Sequence, residues 1–125
     1  MNRKKLFTKL NKLCLELDEK LNINSGGCCY VAAVIAEQLE IFNIPFEIIH
    51  YDRYGCHYAI KVSDRYINRC GYYKKEINYY SEISSSEELF EIYDSECWNE
   101  TYDTLNNDYV CKKIKELFNN ENSRT

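Results

Sequence analysis

Ser25-Gly26-Gly27-Cys28-Cys29-Tyr30-Val31-Ala32 decides how this chain folds. Two glycines let the backbone turn sharply and approach a neighbour closely, and the run from Tyr30 to Ala36 that follows is apolar on every side. A helix with no polar face is buried on most sides. The stretch therefore predicts a glycine turn that delivers a thiol to the first turn of a central helix, running from Cys28 to about Phe42 and stopped by Asn43 and Pro45.

Upstream, Leu6, Leu10, Leu13, Leu17 and Leu21 recur at helical spacing, with Phe7 and Cys14 widening the stripe. Residues 3–21 read as an amphipathic helix covering the core. Its polar face mixes lysines with acids, which argues against a membrane-surface helix. Downstream, three short runs (46–51, 57–62 and 65–68) are separated by Asp52-Arg53-Tyr54-Gly55 and Ser63-Asp64, the pattern of an antiparallel meander. Ser84-Ser85-Ser86 before Glu87 and Glu88 starts a third helix. A last one is expected from about Asp108 to Phe118, with a frayed tail over 120–125. The expectation is a single α+β domain: cover helix 1–21, core 22–72, and a helical C-terminal part over 73–119.

Charge and cysteine content narrow the function. Net charge is −4, and from Glu76 to Asp108 there are ten acidic residues and no basic one. Such a field repels phosphates, so nucleic acid is not an expected partner. No run approaches the length of a membrane span, and Lys9, Lys12 and Glu16 interrupt any leader-like apolar stretch. Seven cysteines cannot all pair. Reduced thiols in a cytoplasmic protein are the expectation.

A thiol becomes nucleophilic when its pKa falls, and the unpaired N–H groups of a helix N-terminus lower it. Cys28 and Cys29 both meet that condition. A base must take the proton, and the chain has two histidines, His50 and His57. If Ser63-Asp64 is a two-residue loop, Val62 pairs with Arg65, Ala59 with Asn68, and His57 with Cys70. His57 and Asn68 then share a sheet face as diagonal neighbours, and the Asn68 carboxamide can hold the imidazole in one tautomer. The backbone N–H of the nucleophile is the expected oxyanion donor, with Asn22 or Asn24 as a possible side-chain donor.

These residues resemble a family. Gly27-Cys28 with Ala36, Leu39 and Asn43-Ile44-Pro45, then His57-Tyr58-Ala59-Ile60-Lys61-Val62 and Tyr66-Ile67-Asn68, are similar to the nucleophile helix and the two following strands of transglutaminase-like proteins, within the papain-like superfamily. The family has Gly where Asn43 stands and usually Asp where Asn68 stands; Asn is the papain choice. The resemblance covers about residues 22–72. Registered on Ile44-Pro45 it implies Cys28 as the nucleophile; registered on the aromatic that follows the papain cysteine it implies Cys29. It implies acyl transfer on a protein or peptide substrate by a Cys28–His57–Asn68 triad: hydrolysis of a peptide or isopeptide bond, deamidation or amine transfer, with no cofactor.

Two rival readings stand beside it. One is an inactive relative whose acidic stretch faces a basic protein. The other is a zinc site gathering Cys28 or Cys29, Cys56, His57 and Cys70, although no Cys-x-x-Cys pair exists to fix two ligands together. The tyrosines at 72, 73, 79 and 80 are candidates to line a groove or a partner surface.

Overall fold

The computed structural model describes residues 2–51, 57–69, 82–95 and 102–123. Helix α1 spans Arg3–Leu21. The Asn2 side chain accepts from the Lys5 N–H at 3.1 Å, and Asn22, at φ 56°, closes the helix in the left-handed conformation that asparagine tolerates. Leu6, Phe7, Leu10, Cys14 and Leu17 form its buried stripe. Helix α2, Cys28–Ile41, is buried along almost its whole length. It ends in a Schellman motif around Asn43 at φ 56°: Ile44 N–H donates to Leu39 O at 2.9 Å, and Asn43 N–H to Glu40 O at 3.1 Å. Asparagine thus takes the place a glycine usually fills.

Strands β1 (Glu47–Tyr51), β2 (His57–Val62) and β3 (Arg65–Ile67) make an antiparallel sheet in the order β1-β2-β3. The expected hairpin register is found: Val62 faces Arg65, Lys61 faces Tyr66 and Ile60 faces Ile67. Ser63, at φ 58°, makes the turn. Period-two alternation divides the sheet. Ile48, Tyr58, Ile60, Val62 and Ile67 join the helices in the main core, whereas Ile49, Tyr51, Ala59 and Tyr66 cluster on the other face.

Helix α3, Ser86–Ser95, begins at a Ser85 N-cap. Ser85 Oγ accepts from Glu88 N–H at 3.2 Å and donates to Glu88 Oε1 at 3.2 Å. From α2, the Glu40 carboxylate accepts from Ser86 N–H at 2.9 Å and from Ser86 Oγ at 2.5 Å, placing a negative charge at the positive end of α3. A 3-10 turn, Thr104–Asn106, leads into α4, Asn107–Asn122. Helix α4 therefore continues past the expected stop at Phe118 and through the first half of the expected tail. The reason is that Glu121 is a buried helical residue, ion-paired at 2.6 Å with Lys9 of α1.

Among the described residues the architecture is α+β, four helices with a small antiparallel sheet. Helix α2 is central, packed on α3, α4 and β2, and α1 lies against α4 and β3. Among the described residues no helix is long and apolar enough to cross a membrane.

Candidate active site

Three segments converge where α2 begins. The loop from Asn22 to Gly27 turns through Gly26, at φ 114°, and hands over to Cys28 at the first position of α2. Gly27 caps the helix without a side chain. The ring of Tyr102 lies directly on it, and Tyr102 N–H donates to Ser25 O at 3.1 Å. Tyr102 Oη donates in turn to Asn107 Oδ1 at 2.5 Å, and Asn107 Nδ2 donates to Tyr93 Oη at 3.2 Å. Burial first, then Tyr93 and Asp103, push the Tyr102 phenol well above its ordinary range, so it stays a donor.

Both thiols are inside. Cys28 is 1% exposed and Cys29 is fully buried. Cys29 Sγ points at α3, donating to Leu89 O at 3.3 Å, which gives this cysteine a packing role away from the sheet. Of the two, Cys28 is the one placed at the helix start.

His57 opens β2, opposite Tyr51, and is 1% exposed. By alternation it shares a face with Ala59 and Tyr51, so its ring sits at the end of the sheet and not under α2. Its Nε2 lies 2.8 Å from the backbone carbonyl of Asn68. A carbonyl only accepts, so Nε2 carries the proton and Nδ1 is the basic nitrogen of the neutral ring. The expected carboxamide contact is therefore corrected. Asn68 reaches His57 through its main chain, because at φ 58° it leaves the strand and its side chain turns the other way.

That side chain pairs with the Asn24 carboxamide in both directions, Asn24 Nδ2 to Asn68 Oδ1 at 3.2 Å and Asn68 Nδ2 to Asn24 Oδ1 at 3.0 Å. His57, Asn68 and Asn24 thus form one hydrogen-bonded chain that reaches the turn four residues before Cys28. Both asparagines proposed for an oxyanion hole have contacts of their own. Asn24 is engaged with Asn68, and exposed Asn22 is the α1 cap, its N–H on Asp18 O at 2.9 Å.

Burial is the largest influence on His57 and lowers its pKa from 6.5; the Asn68 carbonyl and the charge of Asp18 push it back up, and the charge of His50 lowers it further. As the pH falls below 6.5, an unfolded chain takes up a proton that the folded one resists. Stability is therefore expected to fall with pH through that range. Urea midpoints measured between pH 7.5 and 5 check this, and a His57→Gln chain is expected to show a flatter decline.

Cys56, Cys70 and the tyrosines at 72, 73, 79 and 80 lie outside the described residues. Among the described residues no three His, Cys, Asp or Glu side chains gather as metal ligands. The sequence pattern did not single out Asn11, Asp18 or Tyr102, each of which acts across the fold on a residue distant in the chain. Against known proteins, no family model, no curated protein and no solved structure matches this chain.

Proposed function

We propose that this chain is a thiol-dependent acyl-transfer domain of transglutaminase-like or papain-like type, with Cys28 as nucleophile and His57 as base. The observation that carries the reading is a buried histidine, fixed through Nε2 to a main-chain carbonyl, at the sheet end tied by Asn24 to the turn before Cys28. For the reaction Nδ1 must come from the sheet end to the Cys28 thiol and take its proton; the thiolate then attacks an amide or ester carbonyl of a protein or peptide. The C–N or C–O bond breaks as the imidazolium protonates the leaving group. Water or an amine then attacks the thioester, the C–S bond breaks, and the thiol regains its proton. The first-turn N–H groups of α2 supply donors for the oxyanion in this reading. Substrate entry requires a movement that opens Cys28, which is 1% exposed.

A second reading has its own support. Glu87, Glu88, Glu91 and Asp94 are all exposed on α3, an acidic face suited to a basic protein partner, and both cysteines beside it are buried. Site-resolved alkylation between pH 5 and 9 separates the two. Under acyl transfer, Cys28 reacts with an apparent pKa well below the ordinary thiol value of about 8.5, and His57→Ala slows it at least tenfold at pH 7. Ordinary reactivity, indifferent to His57, overturns the enzyme reading and leaves the acidic binding face.

A further inference from the structure

The edge of the sheet beside the candidate site is completed by side chains. Among the described residues strand β3 is an edge strand, and an edge leaves main-chain N–H and C=O groups without a neighbouring strand. Asn11, on α1, supplies the missing neighbour with one carboxamide. Its Nδ2 donates to Tyr66 O at 2.9 Å, and its Oδ1 accepts from Asn68 N–H at 2.9 Å. Those are the groups a fourth strand would bind, two residues apart on the same edge.

One residue on, the chain leaves the strand, with Asn68 at φ 58°. A non-glycine residue adopts that conformation only where its surroundings hold it. Three contacts do so: Asn11 on its N–H, the Asn24 carboxamide on its side chain, and His57 on its carbonyl. Asn24 is fixed in turn by Asp18 of α1, whose Oδ1 accepts from Asn24 N–H at 2.9 Å. Two residues of the cover helix and one of the turn thus set the direction in which the Asn68 carbonyl points.

We infer that Asn11, Asn24 and Asp18 are positioning residues, which aim the main-chain carbonyl of Asn68 at His57 Nε2 and thereby commit the ring to the tautomer with a basic Nδ1. They act through the contacts that Asn11 and Asn24 make with Asn68 and that Asp18 makes with Asn24. The catalytic consequence rests on the acyl-transfer reading; the geometric one does not. The carboxamide that the sequence offers as the orienting group is instead one of the clamps that hold the carbonyl in place.

The test is the Nε2-bound proton of His57, observed by NMR in the full chain with nitrogen-15-labelled histidine and assigned with His57→Gln. The proton is expected on Nε2, in slow exchange with water. Asn24→Ala and Asn11→Ala are each expected to speed its exchange at least tenfold or to abolish its signal. Lys9→Met, which removes the ion pair between α1 and α4 instead, is the control for general loosening and is expected to leave the signal in place. A proton on Nδ1 overturns the inference. So does exchange that is unchanged in the asparagine variants, or equally fast in Lys9→Met. Cys28 alkylation in the same variants separates the two claims. Loss of the His57 signal with slowed alkylation supports both, whereas loss of the signal with unchanged alkylation upholds the positioning and counts against the acyl-transfer reading.

Discussion

Gly27→Ala is expected to lower stability by about 3 kcal/mol, the upper end of what overpacking ordinarily costs. A Cβ at this position would stand 2.7 Å from Tyr102 Cδ2, 2.8 Å from Tyr102 Cγ and 2.9 Å from Ile23 O. The ring cannot swing aside freely, because Tyr102 is held at its N–H by Ser25 and at its hydroxyl by Asn107. The Ile23 carbonyl is main chain in the same tight turn and gives no more easily. Urea unfolding checks the size of the effect. Removing the ring should recover part of the loss, so Gly27→Ala combined with Tyr102→Ala is expected to be less destabilised than the two single changes add up to. A loss under about 0.5 kcal/mol, the scale of an ordinary surface change, would show that the turn is not packed as described.

The second large effect concerns the clasp between the helices that enclose the core. Glu121 is 3% exposed and Lys9 36% exposed, with 2.6 Å between Lys9 Nζ and Glu121 Oε1. Lys9→Met takes the Lys9 cation away from a buried carboxylate and is expected to cost roughly 2–3 kcal/mol, less than the 3–5 of a fully buried pair because Lys9 is partly solvated. Glu121→Leu introduced together with Lys9→Met is expected to restore most of that loss, since replacing both charges with apolar groups removes the desolvation penalty along with the attraction. A four-way comparison of urea midpoints measures the coupling. Additive losses would mean that the two side chains stabilise the fold independently.

Wherever local periodicity carries the information, the sequence was legible. The leucine stripe gave α1 over residues 3–21, the all-round apolar run gave a buried α2, and the two-residue Ser63-Asp64 loop gave the β2–β3 register. The serine run gave the start of α3, with Ser85 as its cap. What could not be read is the outcome at Asn68. Register assigns a residue to a face only while the chain remains a strand, and the left-handed backbone there exchanges the directions of carbonyl and side chain. Nor does any pattern near Gly27 announce Tyr102, which arrives from a segment 75 residues later in the numbering. Helix α4 outran its expected end for a similar reason. A glutamate at position 121 reads as solvent-facing until Lys9 is known to reach it.

The clasp between Lys9 and Glu121 also dictates a schedule. The two residues are 112 positions apart, so at synthesis rates of about 5–20 residues per second α1 waits roughly 6–20 s for its partner. Through that interval Leu6, Phe7, Leu10, Cys14 and Leu17 have no α4 to cover them, although β3 can meet part of α1 sooner through Arg65 and Asn11. Arg3, Lys4, Lys5, Lys9 and Lys12 flank the waiting stripe with like charge. On a nascent chain they act as gatekeepers against self-association, before any of them has a role in the finished fold.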